Sequence, residues 1–137
     1  MKRIIRIAAA VVINGEQQML VVRKRGTLAF MQPGGKIDSG EQPLDALVRE
    51  LREELNLVVD PSDVLSIGNY QAPAANEPGS TVDCELYHVM SKLPDRVIPA
   101  AEIDEVLWIS VLEPCDMELA PLTRDVVLPL VRADVRQ

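Results

Sequence analysis

Between Gly35 and Leu57 the chain reads GKIDSGEQPLDALVRELREELNL, and no other stretch constrains the fold as much. Taken as a helix over about 43–55, its 3.6-residue period puts Leu44, Leu47, Val48, Leu51 and Leu55 on one arc. Glu50, Glu53 and Glu54, at i, i+3 and i+4, fall on another. Such a helix needs a partner surface for its apolar stripe and water or cations for its acidic one. Uncompensated like charges at these spacings cost about 0.2–0.5 kcal/mol per pair. A hard divalent cation, held by one or two carboxylates with waters and phosphate oxygens, converts the same arc into a binding surface. The bland alternative is a solvated helix face, since runs of Glu and Arg are common on exposed helices.

The flanking residues move the balance toward chemistry. Gly35, Glu41, Arg49, Glu50, Leu51, Glu53, Glu54 and Leu57 keep fixed offsets that average composition would produce on the order of once in 10⁸ windows. Gly34 and Gly35 suit a tight turn and close backbone approach to a ligand. Pro43 fits the first helical position and Asp45 the first turn. Ala46, one turn ahead of Glu50, leaves room there for a loop or ligand. Asn56 follows the helix, and Asn is the usual second choice to Gly for a left-handed cap.

The segment resembles the Nudix box, the signature of the Nudix (MutT-type) hydrolases. That pattern is Gly, five residues, Glu, seven residues, Arg-Glu, an aliphatic, one residue, Glu-Glu, one residue, Gly and an aliphatic. The chain departs from it only at Asn56, which exchanges the cap glycine and removes no carboxylate. The box covers 23 of 137 residues, 35–57, and Pro33-Gly34 match the usual approach to it. The resemblance implies an α/β/α sandwich with a mixed β-sheet between helices, one hydrolase domain over 1–137, and a requirement for Mg²⁺, with Mn²⁺ as a substitute. It implies that Glu50, Glu53 and Glu54 hold the metal with help from the Gly34 carbonyl. Glu53 is the leading candidate for the base, and Gly35, Glu41 and Arg49 brace the box, Glu41 pairing with Arg49.

A diphosphate repels nucleophiles through its own charge, so a site that cleaves it must neutralise charge and activate water next to phosphorus. Arg23, Lys24 and Arg25, closing a strand, are candidate phosphate clamps, although strand alternation turns at least one of them to water. Glu77, Glu102 and Glu105 could add a ligand or base from outside the box. Phe30 is the candidate to stack on a nucleobase, and Trp108 resembles the family's buried strand tryptophan. The expected substrate is a small-molecule nucleotide: a nucleoside or deoxynucleoside triphosphate, including oxidised forms such as 8-oxo-dGTP. ADP-ribose, nucleotide sugars, dinucleoside polyphosphates and a non-catalytic ligand-binding module are the alternatives.

Composition agrees with one small enzyme domain. A net charge of −7 argues against a nucleic acid polymer or an anionic membrane as partner, and metals would invert the local field at the site. Cys84 and Cys115 are the only cysteines and His88 the only histidine, which disfavours zinc. Two free thiols fit a reducing cytoplasm, and His88 reads as a packing residue. MKRIIRIAAAVVING imitates a signal peptide, but Arg6 interrupts the apolar run and a strand explains it better. Many members of the family being dimers, a homodimer is the oligomer implied.

The remaining elements read as a strand over 3–13 with Ile5, Ile7, Ala9, Val11 and Ile13 on one face, and further strands at 19–24, 34–37, 64–71, 81–90 and 105–111. A second helix falls within 122–134, limited or kinked by Pro129.

Overall fold

A computed structural model describes residues 3–94 and 96–135. Six strands form: β1 (Arg3–Val11), β2 (Gln18–Lys24), β3 (Gly34–Lys36), β4 (Val64–Pro73), β5 (Ser80–Val89) and β6 (Ile103–Ser110). Helix α1 (Pro43–Leu55) follows β3, and a π-helical turn (Leu122–Val127) runs into α2 (Leu128–Val135) at the end. Strand β1 pairs parallel with β5, Ile7 opposite Cys84, and antiparallel with β3, Ala8 opposite Gly35. With β4 antiparallel to β5, the main sheet is mixed, in the order β3-β1-β5-β4. Strands β2 and β6 form a second, two-stranded antiparallel sheet. It joins the first where the Leu20 N–H donates to Val12 O at 2.9 Å.

Strand β1 is the middle of the sandwich. Its alternate residues enter two cores, since successive side chains of a strand point to opposite faces. Ala9 and Val11 meet Leu86, Leu122, Val127 and Leu128 on one side. Ala8, Ala10 and Val12 meet Leu47, Leu51 and Leu55 of α1 on the other. The structure is therefore the expected mixed sheet between helices. The alternation of Ile7, Ala9, Val11 and Ile13 toward one core holds, although β1 stops at Val11 and Ile13 makes only an isolated bridge to Met19.

A 13-residue helix such as α1 is marginal by itself in water. Leu47, Leu51 and Leu55 are at most 1% exposed, each worth about 1.5–3 kcal/mol of burial, so packing decides that the helix forms. Ala46 lies in this core instead of leaving room beside the acidic arc. At the far end Asn56 takes φ 55°, ψ 30°, the left-handed cap read from the sequence. The N–H groups of Asn56 and Leu57 donate to Arg52 O and Leu51 O.

The second helix starts as a π turn, in which the Leu128 N–H reaches Thr123 O. Pro129 has no N–H to donate to the carbonyl four residues back, and the change of register falls just ahead of it. No helix among the described residues is long and apolar enough to cross a membrane.

Candidate active site

Two glycines let three elements meet. Gly34, at φ 144°, lies so close to β1 that a Cβ would strike Ala8 O and sit 2.8 Å from Ala9 Cα. At Gly35 a Cβ would run into the Glu50 carboxyl group, 2.7 and 2.8 Å from its two oxygens. The paired glycines are thus a consequence of β3 pairing tightly alongside β1 while the Glu50 carboxyl group from α1 lies against β3.

Arg49 holds that carboxylate in place. Its Nε and Nη2 donate to Glu41 Oε2 and Oε1, both at 2.9 Å, while Nη1 donates to Glu50 Oε1 at 2.8 Å and Nη2 also to Lys36 O at 3.1 Å. One planar guanidinium therefore ties the loop, β3 and α1 together in the bidentate geometry that Lys cannot supply. The Arg49 hydrogen bonds, with the Asp38 N–H, hold the Glu41 carboxyl down to about 2. Glu50 is pushed upward by burial, partly offset by Arg49.

Glu54 is the anomaly of the helix. It is 2% exposed, and among the described residues no group makes a well-formed hydrogen bond to either carboxylate oxygen, only the Gly34 backbone approaching closely enough to oppose the shift weakly. Burial first, then the neighbouring charge of Glu50, push it up to about 7, with Lys24 opposing and Glu102 adding to the rise. An unpaired buried carboxylate is costly and persists only where something compensates it. A second carboxylate alongside makes a cation the chemically matched partner. The donors present fit a hard divalent ion.

Glu53 stands apart from this pair. Its side chain is 55% exposed and lies 3.4 Å from Arg49 Nη1, on the outer edge of α1. Among the described residues no three Asp, Glu, His or Cys side chains gather closely enough to hold a metal together. The structure thus brings Glu50 and Glu54 together against Gly34 and Gly35, and leaves Glu53 outside.

A cleft opens on the other side of the glycine pair. Gly34, Gly35, Lys24 and Lys36 line it, and Ile5, Ile7, Ala9, Val82 and Leu122 contribute apolar wall. Of the three basic residues closing β2, only Lys24 lines it, 3.6 Å from Glu102. Arg23 is spent on Asp104 at 2.7 Å, Glu105 at 3.1 Å and Thr27 O at 3.0 Å, and Arg25 donates to Ala101 O at 3.1 Å. Glu105 consequently pairs with Arg23 instead of facing the cleft. Glu77 sits at the rim, 3.7 Å from both Arg3 Nη1 and Lys36 Nζ.

Phe30 is the clearest departure from expectation. It is 2% exposed within the core, with Arg23 5.8 Å from its ring centroid, so it offers no open face to a base. Its backbone pairs with Glu118 O and Ala120 N–H, which draws the side chain inward. Trp108 is partly buried against the α1 core, and His88 is half-buried. The sequence reading missed Gln32, Lys36 and Thr123 in the cleft lining. Thr123 reads as an ordinary helix-start residue, and only its burial distinguishes it.

The family model described as NUDIX domain matches residues 4–130. Among sequence relatives, an 8-oxo-dGTP diphosphatase of Haemophilus influenzae is 41% identical over 61 residues, 42% of this chain and 45% of the relative. An RNA pyrophosphohydrolase of Halorhodospira halophila is 41% identical over 58 residues, 42% of this chain and 31% of the relative. The chain therefore aligns with less than half the length of these curated relatives. Among solved structures, the MutT protein of Methanosarcina mazei Go1 has a TM-score of 0.78 at 19% identity, covering 99% of this chain and 98% of that one, a likeness of fold. Since the family match spans nearly the whole described chain and takes in the Gly35–Leu57 box, this chain belongs to the Nudix family.

Proposed function

We propose that this chain is a divalent-metal-dependent pyrophosphohydrolase cleaving the diphosphate linkage of a nucleoside diphosphate derivative. Nucleoside and deoxynucleoside triphosphates, oxidised ones included, are the favoured substrates. The observation that carries this reading is the buried Glu54 carboxylate beside Glu50, which has no well-formed hydrogen bond and no cationic partner in contact among the described residues. A structural role would have given those oxygens donors or put them in water. The names of the relatives, an 8-oxo-dGTP diphosphatase and an RNA pyrophosphohydrolase, support a nucleotide polyphosphate as the class attacked.

In this reading Glu50 and Glu54 would hold Mg²⁺, or Mn²⁺ in its place, with the Gly34 carbonyl as a further ligand and Glu53 joining them only if its side chain turns inward. When bound, the ion supplies charge neutralisation on phosphate and a lowered pKa for water. The residues do the rest. Glu41 fixes Arg49, and Arg49 fixes the Glu50 carboxylate over Gly35. Lys24, on the cleft wall, meets the negative polyphosphate. Glu53 stands outside the Glu50–Glu54 pair, and to accept the proton from the attacking water it would have to turn inward from the edge of α1. The apolar walls hold the nucleoside end and exclude water from it.

The deciding experiment is a substrate panel with Mg²⁺: nucleoside triphosphates, 8-oxo-dGTP, nucleotide sugars, dinucleoside polyphosphates, ADP-ribose and a 5′-triphosphorylated oligoribonucleotide, assayed for released phosphate or pyrophosphate. Metal-dependent release from at least one nucleotide is expected. Tight binding without release from any of them would replace the enzyme reading with a ligand-binding module.

A further inference from the structure

The outer N–H and C=O groups of a sheet's last strand are a template for a further strand, so proteins protect such edges with short length, charge, proline or a bulge. Among the described residues β3, β4 and β6 stand at an edge, while the outer side of β2 is bonded to Val12 and Met31. Strand β3 has three residues and ends in Lys36, and β6 carries Asp104 and Glu105. Strand β4 is protected in neither way. It runs ten residues, VLSIGNYQAP, without one charged side chain, and its neighbour in the sheet is β5. Among the described residues no hydrogen bond joins the main chain of Leu65–Pro73 to anything but β5.

The side chains along this edge are equally open. Leu65 is 56% and Ile67 37% exposed, and Met90, whose N–H donates to Asp63 O at the start of β4, is 58% exposed. Leu65 stands opposite His88, so Met90, two residues on, shares its face and lies diagonally beside it. A bulge between Ser66 and Gly68 twists the strand, and Pro73 closes it without an N–H. Neither feature puts a charge on the edge.

Charge selects both the occupant and its direction. A chain with a net charge of −7 repels its own copies over most of its surface, and a neutral, apolar edge is where two copies can meet. The exposed Asp60 and Asp63 precede β4, whereas Pro73–Asn76 at its end carry no charge. Parallel pairing of two copies would bring the acidic ends together. Antiparallel pairing sets each acidic end beside an uncharged one, and it uses the same edge on both copies, as a closed two-fold dimer requires.

We propose that β4 is a homodimer interface, in which two copies pair antiparallel, edge to edge, along β4 and cover Leu65, Ile67 and Met90. The two four-stranded sheets then become one. In this arrangement the Pro61–Asp63 turn of the second copy stands next to the loop that follows β4, whose residues Ala74–Glu77 line the cleft. Each cleft is thereby bordered by both copies.

The proposal is independent of the nucleotide reading, and its test uses no substrate. Pairing through one edge buries less than the roughly 800 Å² per partner of a standard interface, so the dimer should dissociate in the micromolar range. Sedimentation velocity of the whole chain across that range should show monomer passing into dimer as concentration rises. Leu65→Lys combined with Ile67→Lys puts like charges on both paired edges and should weaken the dimer at least about 10-fold. Both side chains already face solvent, so circular dichroism should not change. Leu28→Lys, the same exchange at a 78% exposed position outside β4, should leave the dimer intact. In the parent chain, amide hydrogen exchange of Leu65–Gln71 should slow as dimer forms, which reports pairing of the backbone itself. A monomer at every concentration, a dimer that the double variant leaves intact, or a dimer whose β4 amides exchange as fast as the monomer's would overturn the proposal.

Discussion

At the scale of single residues, Glu54 is where the molecule holds free energy in reserve. Its carboxyl is raised to about 7 in the folded chain against 4.5 ordinarily, so the folded state binds more protons than the unfolded state between those values. Stability from this group is full below about pH 4.5 and is lost as pH rises toward 7. The loss is on the order of 3 kcal/mol. Without divalent metal, Glu54→Gln should therefore flatten the decline of Tm between pH 4.5 and 8 and melt higher than the parent at pH 8. Parallel Tm–pH curves for the two proteins would show that Glu54 is not the strained group. Gly35 makes the complementary case. Gly35→Ala puts a methyl group into the Glu50 carboxyl, and should cost about 1–3 kcal/mol in stability by denaturant titration. It should also lose most metal-dependent hydrolysis, since Glu50 can no longer lie over the loop. Unchanged turnover in that variant would detach Glu50 from the chemistry.

At the scale of elements, α1 carries the argument because it serves a core and a site at once. Its apolar stripe, its start at Pro43 and its left-handed end at Asn56 were all legible in the sequence, since periodicity and cap chemistry are local. Asn56→Gly should gain up to about 1 kcal/mol by relieving φ 55° and should keep full activity. A large change in kcat would mean that Asn56 does more than end the helix. The brace between Glu41 and Arg49 was also legible, through resemblance, and the structure adds that the same guanidinium holds Glu50. What sequence could not give was which carboxylates converge. Residues 50, 53 and 54 share an arc of about 100° on a helical wheel, and only the packing of β3 against α1 buries Glu54 while leaving Glu53 at the edge. The burial of Phe30 is hidden from the sequence for a similar reason. Its bridge to Leu119 is a long-range pairing with no local signature.

At the scale of the whole molecule, the central β1 strand explains why the site lies where it does. Its two buried faces tie α1 and the C-terminal helical segment into one unit. Its pairing with β3 presents the glycine pair between the carboxylates on one side and the cleft on the other. The mixed sandwich could be anticipated from alternating strands and two helical stretches. The separate β2–β6 sheet could not, because it depends on a pairing between strands about eighty to ninety residues apart. The cleft was invisible in the sequence for the same reason, being assembled from β1, β3, the β4–β5 loop and the π turn.

The central proposal is that the carboxylate pair on α1, buried Glu54 beside part-buried Glu50, carries metal-dependent diphosphate hydrolysis. The most direct measurement is the initial rate on the best nucleotide of the panel at saturating Mg²⁺, compared among the parent, Glu54→Gln and Arg52→Gln. Arg52 is exposed on the same helix, one residue from Glu53 and outside both arcs. Glu54→Gln keeps side-chain size and removes the charge on which metal binding depends, so kcat should fall by two orders of magnitude or more with circular dichroism unchanged. Arg52→Gln should retain the parent rate. Equal rates for the two variants would contradict the account.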